Sequence, residues 1–342
     1  MKTINHKFNY FINIVFGVFI ITFLSGCIKQ NKNLEAKEIK GEYLGQQKPG
    51  NSPEIFAPDF ISTNLGERDA AFTPDGKEFY YSLWTGSFGV ILVTKETETG
   101  WSNPEIASFS HNNSNIEPFI TSNGKKLFFS SNRPIEKNDV EKDYDIWYVI
   151  KTDSGWSTPN NVGSPVNSNV DEFYPSVADN GNLYFTAQTE KSLGSEDIWL
   201  SKFKDGKYEK PENLEEAVNS KTDEFNAFVA SDESYIIFSN WGRKDGLGGG
   251  DLYISFKDEN GNWLSSKNLG ENINSLQLDF CPYISTDGKY FFFTSRRINK
   301  KLTDKDHQSY SSLEQMLNSP QNGNNDIYWM SSSTIFKLKE QN

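Results

Sequence analysis

The sequence predicts an all-β fold built from five copies of one four-stranded unit, and three observations predict it. One phrase recurs at 67–83 (ERDAAFTPDGKEFYYSL), 115–131 (NIEPFITSNGKKLFFSS), 171–187 (DEFYPSVADNGNLYFTA), 223–239 (DEFNAFVASDESYIIFS) and 279–295 (DFCPYISTDGKYFFFTS). Between phrases stands an Asp followed by a branched apolar residue and an aromatic: Asp145-Ile146-Trp147, Asp197-Ile198-Trp199, Asp251-Leu252-Tyr253 and Asp326-Ile327-Tyr328. The turn residues Gly76, Gly124, Gly181, Glu233 and Gly288 recur at a spacing of roughly fifty residues, the period of a repeat architecture.

Each phrase reads as a hairpin of strands A and B. Aromatic and β-branched residues flank an Asp-Gly or Asn-Gly turn, and Thr73-Pro74-Asp75-Gly76 suits a type I turn. The Asp-led motif opens strand C. A Gly-Trp turn then leads to a short strand D, at Gly100-Trp101, Gly155-Trp156 and Gly261-Asn262-Trp263, varied to Gly206-Lys207-Tyr208. Ala70 and Ala227 replace the phrase's proline, Glu233 replaces a turn glycine, and the third turn is one residue shorter. Antiparallel four-stranded units at this period make a five-bladed β-propeller. The fifth unit ends after a strand C expected within Asp326–Leu338. Its strand D is expected from the N-terminal side, at residues 54–60, paired with an extended stretch around Ser331–Leu338, because such closure leaves no open sheet edge.

Strands that carry Asp-Gly turns and end in Ser131-Asn132-Arg133, with the Asp-led motif and a Trp-x-x-Pro element, form a recognisable set. This set resembles the WD40-like repeat of the Pro-Asp type found in TolB-like proteins and many bacterial envelope lipoproteins. The resemblance spans roughly residues 53–338. It implies the fold and leaves the activity open, since propellers host unrelated functions.

Lys2 and Lys7 precede an apolar run from Phe11 to Phe23 and then Leu24-Ser25-Gly26-Cys27. The run is too short to span a bilayer and fits a signal-peptide core. Its end resembles a lipobox, which implies lipidation of Cys27. The expected organisation is a lipoprotein signal peptide at 1–26, a flexible tether at 27–52, and a propeller at 53–342 with an insertion at 298–325. Ile28 rather than Asp follows the cysteine, and by that resemblance the protein sits in the cell envelope at the outer membrane, facing the periplasm.

Formal charge is −12 for the whole chain, and the segment 1–26 contributes only Lys2 and Lys7. So acidic a chain is a poor partner for nucleic acid or anionic lipid, so the acyl group on Cys27 is expected to provide the membrane contact. Beyond that segment Cys281 is the lone remaining thiol, which leaves no intramolecular disulfide and is expected to be buried and inert. His111 and His307 are far apart, so no histidine metal site or catalytic triad is expected, and no cofactor either. The run Gly246–Gly250 leads into a strand rather than a helix, which excludes a phosphate cradle.

Loops from D to A and from B to C share one face of a propeller, around the channel mouth. Strand A begins with Glu67, Asn115, Glu172, Glu224 or Asp279. This column reads either as an acidic ring that binds a cation or polarises a substrate or as an inter-blade device. Recurrence in nearly every unit favours the device, and Glu67, Glu172, Glu224 and Asp279 stay among the channel-mouth ligand-binding candidates. Two residues on, the column reads Asp69, Glu117, Tyr174, Asn226 and Cys281. Variation at one equivalent position is what a ligand site on a repeat looks like, and also what drift looks like. Trp84 and Trp241 follow strand B as candidate stacking platforms, and Arg133, Arg243, Arg296 and Arg297 stand at the same loops as partners for the acids. In the insertion, Ser311 or Ser312 is expected to cap a short helix over Leu313–Leu317, forming a lid or docking element. These residues suggest a lipid-anchored, non-catalytic module that binds an envelope protein, a peptide or a glycan. The alternative is a glycosidase-like enzyme using two of Asp69, Glu117 and Glu172 as acid and base.

Overall fold

The computed structural model describes residues 39–135, 143–303 and 309–341, so Cys27 and the apolar run before it lie outside the described residues. Five antiparallel sheets form the ring, each ordered A-B-C-D from the channel outward. Strands A, B, C and D of blade 1 are Glu67–Phe72, Glu78–Trp84, Gly89–Thr97 and Glu105–Ile106. Blade 2 uses Asn115–Ile120, Lys126–Ser131, Asp145–Thr152 and Asn160–Asn161; blade 3 uses Glu172–Val177, Leu183–Ala187, Asp197–Ser201 and Glu212–Asn213. Blade 4 uses Asp223–Val229, Tyr235–Trp241, Asp251–Phe256 and Lys267–Asn268. Blade 5 uses Asp279–Ile284, Tyr290–Ser295 and Asp326–Ser331, and its strand D is Glu54–Ile55 from the other end of the chain.

The ring therefore closes as expected, but on a different stretch. Glu54 pairs with Trp329 and Ile55 with Tyr328. Strand C stops at Ser331, and Ser333–Phe336 is a helical turn that buries Ile335 on blade 5 rather than continuing the strand to Leu338. Residues 39–52, expected as part of the tether, also belong to the propeller. Tyr43 packs its ring against Phe72, Tyr290 and Trp329, Leu44 is buried, and Trp101 donates to the carbonyls of Ile39 and Gly41. The polar composition that suggested a tether concealed two apolar anchors in Tyr43 and Leu44.

Packing follows from alternation along each strand. Side chains of one face meet those of the next blade, as where Phe56, Phe72, Phe79, Phe292 and Trp329 interlock across blades 5 and 1. Large aromatic side chains supply most of the apolar area such a ring can bury. A second device recurs in the D-to-A loops. The amides of Asn167, Asn219 and Asn274 each accept from and donate to the strand C backbone at Ile146, Ile198 and Leu252. A side chain thereby satisfies strand C where strand D is too short to do so. Among the described residues, no helix is long and apolar enough to cross a membrane.

Candidate functional site

The acids of the first column on strand A are hydrogen-bonded to the loops that precede them. Glu172, Glu224 and Asp279 each accept the backbone N–H and hydroxyl of the serine four residues earlier (Ser168, Ser220, Ser275), and Glu67 takes both donors of Thr63. The carboxylate closes the D-to-A loop onto its own strand. All are nearly sealed from solvent, and burial raises each carboxyl above its ordinary range. Arg243 bonds Glu224 at 2.9 Å and Arg297 meets Asp279 at 3.3 Å, while Arg133 donates to Asn115. Each of these arginines also lies over two rings of its own blade.

The second column converges on the channel axis. Every strand A breaks register early, after its second residue in blades 1, 2, 3 and 5 and after its third in blade 4, and the residue at the break takes a positive φ: Asp69 (66°), Glu117 (64°), Tyr174 (51°), Asn226 (50°) and Cys281 (53°). None is glycine, so each position costs about 1–2 kcal/mol in backbone strain. The bulge turns its N–H to a neighbour. Asp69, Glu117 and Asn226 donate to the hydroxyls of Thr294, Ser82 and Thr186 on the preceding blade, and Tyr174 donates to the Glu117 carboxylate. The five residues thus sew the ring at its centre.

Arg68, not foreseen as a site residue, is the cation of that centre. It donates to Glu117 at 2.7 Å, to Asp69 at 3.2 Å and to the Cys281 sulfur at 3.1 Å, over the Phe280 ring. Asn226 donates to Glu117 at 3.3 Å, and the Tyr174 hydroxyl donates to the Pro282 carbonyl at 3.1 Å. Burial is the largest influence on Glu117 and raises its pKa, while Arg68 pulls the other way. Burial also pushes the Cys281 thiol well up, so this fully buried sulfur is a poor nucleophile. Within strand A, Arg68 reads as one more alternating residue, and only the bulge beside it turns it inward.

A carboxyl that the sequence did not single out stands near this centre. Glu196, on the B-to-C loop of blade 3, is half-buried, and its pKa is pushed up to about 7 by burial and by the carboxylates of Glu117, Asp223 and Asp171. The available signal was its position before strand C, which is Tyr144, Gly250 or Asn325 in the other Asp-led units.

Trp84 and Arg296 meet in a cavity of about 460 Å³ between blades 5 and 1, together with Asn64, Asn324 and Asn325. Arg296 is fixed by a 2.9 Å bond to Asn325, and burial and Arg68 lower its pKa. The insertion forms one wall: Asn322 and Asn324 donate to the Asn64 carbonyl. Its helix runs Tyr310–Leu317 and is capped by Ser309, not Ser311 or Ser312. Leu313 and Met316 are half-buried, but Leu317 and Tyr310 face solvent, so the expected apolar face is only partly covered. Trp241 stands apart, 62% exposed. Among the described residues no group of three or more His, Cys, Asp or Glu is placed to hold a metal.

No family model matches the chain, and no curated protein sequence does. Solved structures do. A structure described as a glycoside hydrolase has a TM-score of 0.51 at 10% identity, covering 85% of this chain and 93% of its own. The putative TolB from Agrobacterium tumefaciens has a TM-score of 0.46 at 14% identity, covering 78% and 90%. The α-L-arabinofuranosidase from Lactobacillus brevis has a TM-score of 0.47 at 10% identity, covering 80% and 92%. At such identities the likeness concerns the fold alone.

Proposed function

We propose that the protein is a lipid-anchored envelope module that binds a protein, peptide or glycan without transforming it, with the cavity between blades 5 and 1 as its ligand site. One observation carries this reading. Both carboxylates of the channel centre, Asp69 and Glu117, are engaged by Arg68, while Trp84, Arg296 and the amides beside them line open space. A buried carboxylate held by a guanidinium is a poor general acid or base, whereas a ring face beside amides suits a sugar or a peptide. Cys27→Ser should release the chain from membranes; membrane retention of that variant would refute the anchor. The released full-length chain, screened on glycan arrays and against peptides of envelope proteins, should bind a ligand that Trp84→Ala loses.

A second reading, a glycosidase-like enzyme, has one observation in its favour. Glu196 stands within electrostatic reach of Glu117 with a pKa near neutrality, the pairing of unlike carboxyls that acid and base roles require. Hydrolysis of aryl glycosides, abolished by both Glu196→Gln and Glu117→Gln, would replace the binding reading with this one.

A further inference from the structure

Three blades hold an arginine over a pair of rings, and blade 3 keeps the rings, the acid and the loop but has no arginine. In blades 2, 4 and 5 the rings pair across strands B and C: Phe129 with Trp147, Phe238 with Tyr253, and Phe293 with Tyr328. The guanidinium carbons of Arg133, Arg243 and Arg297 lie 4.8–5.4 Å from those ring centroids. Each arginine also donates to a D-to-A loop carbonyl (Phe109, Val218 or Ile273) and to the first-column side chain of its strand A (Asn115, Glu224 or Asp279).

In blade 3, Phe185 pairs with Trp199, Val166 occupies the loop position of those carbonyls, and Glu172 begins strand A. Thr189 stands where Arg133 stands in blade 2 relative to the A–B pairing. A cavity of about 840 Å³ opens there, and Val166, Glu172, Phe185, Thr189 and Trp199 line it. Glu172 is 1% exposed; its Oε1 takes both donors of Ser168, and its buried Oε2 has no hydrogen-bond partner among the described residues. The charged groups that act most on it are the carboxylates of Asp145 and Asp143, and with burial they push it up to about 8. Glu190, Lys191 and Lys210 are on the rim. Blade 1 also lacks the arginine but offers no such socket. Its Tyr81 pairs with Leu92 rather than a ring, and Thr63 satisfies both oxygens of Glu67.

We propose that the blade 3 cavity binds an arginine side chain presented by a partner protein or peptide, its guanidinium lying over Phe185 and Trp199 and bonding Glu172. The chain itself supplies the ring stacking three times and the stacking together with a carboxylate twice, at Glu224 and Asp279. A planar guanidinium suits stacked rings and a carboxylate together, as an ammonium does not. Gln188, Glu190 and Lys191 of the covering loop are exposed, so the rim can give way to an incoming side chain. The proposal deepens the binding reading but rests on a different cavity, so its failure leaves the Trp84 cavity untested and intact.

The test follows the indole N–H of Trp199, which donates to the Ala187 carbonyl at the cavity wall, by NMR. The probe is an acetylated, amidated Gly-Arg-Gly peptide added to the full chain carrying Cys27→Ser. The expected result is a saturable shift that is at least about tenfold weaker with lysine or citrulline in place of arginine, and in Glu172→Gln. Thr189→Arg should supply the missing guanidinium internally, raise the melting temperature and abolish binding. Absence of a shift, equal binding of the citrulline peptide, full binding by Glu172→Gln, or binding retained in Thr189→Arg each overturns the proposal. Equal binding of free agmatine would make the ligand a small guanidine and overturn its assignment to a protein partner. Both variants are checked for native circular dichroism, and Glu172→Gln is isosteric, so a folding failure in Thr189→Arg leaves the test standing.

Discussion

The two columns of strand A lie two positions apart in every blade, yet they meet opposite surroundings. The first column is nearly uniform: a carboxylate closes its own loop onto a Ser or Thr, and in blades 4 and 5 an arginine neutralises it. The second column is different in every blade, and its members bond one another across the channel. Repetition therefore marks what holds each blade, and variation marks what the blades build together. Sequence variation in the second column fits a ligand site and drift alike, and the bulge adds what sequence lacks by bringing all five residues to one centre.

The strongest way to break this comparison is to remove the cation of the centre. Arg68→Met leaves Asp69 and Glu117 buried without their partner, and breaking a buried pair from one side costs about 3–5 kcal/mol. Denaturant unfolding measures it. A loss below about 1 kcal/mol would mean that the centre relaxes to admit water, and that the five residues do not act as one unit.

A smaller effect separates the clamps of the first column. Arg243→Met strands a buried carboxylate and should cost about 3 kcal/mol, whereas Arg133→Met strands only the Asn115 amide and should cost about 1–2 kcal/mol. Neither should change ligand binding at the Trp84 cavity. Equal losses for the two would show that ring stacking, common to both, outweighs the charge pairing that distinguishes them.

Blade 3 sharpens the comparison through pH. Burial disfavours the charge on the Glu172 carboxyl and pushes its pKa in the folded chain up to about 8 from an ordinary 4.5. Between these values the folded chain holds a proton that the unfolded chain has released, so stability falls as pH rises from about 4.5 to about 8. Asp326 and Glu196, both at about 7, act in the same direction, so only the difference from Glu172→Gln is diagnostic. Melting temperatures at pH 5 and pH 9 should differ less in the variant than in the parent chain. An unchanged difference would mean that Glu172 is ionised and paired.

The fold was legible because a repeat states its pattern five times, and local chemistry was enough: Asp-Gly turns, alternating aromatics and an Asp that opens strand C. The site was legible only as columns. Glu67, Glu172, Glu224 and Asp279 were read as architecture from their recurrence, and Asp69, Glu117, Tyr174 and Asn226 were placed together from their equivalence. Arg68 was missed because alternation assigns it to the other face of strand A, and the bulge that overrides alternation has no glycine to announce it. Glu196 was missed because its neighbour Asp197 carried the motif. The closing strand was misplaced by its partner: Ser331–Leu338 looked extended, but Ser332 through Phe336 fold back so that Ile335 can be buried.

The smallest expected effect on stability is also the sharpest test of where a ligand sits. Trp84 and Trp241 both end strand B and are indistinguishable by position, but Trp84 is half-buried in the cavity wall beside Arg296, whereas Trp241 is 62% exposed. Trp241→Ala removes a ring that shields little from water and should change stability by no more than about 0.5 kcal/mol, with ligand affinity unaltered. Trp84→Ala removes a face on which a sugar or peptide would stack, and should lower affinity at least about tenfold at a modest cost in stability. Both are measured on the same ligand by titration calorimetry, with thermal unfolding alongside. If Trp241→Ala lost the ligand and Trp84→Ala kept it, the binding surface would lie on blade 4, and the cavity between blades 5 and 1 would be only the seam where the ring closes.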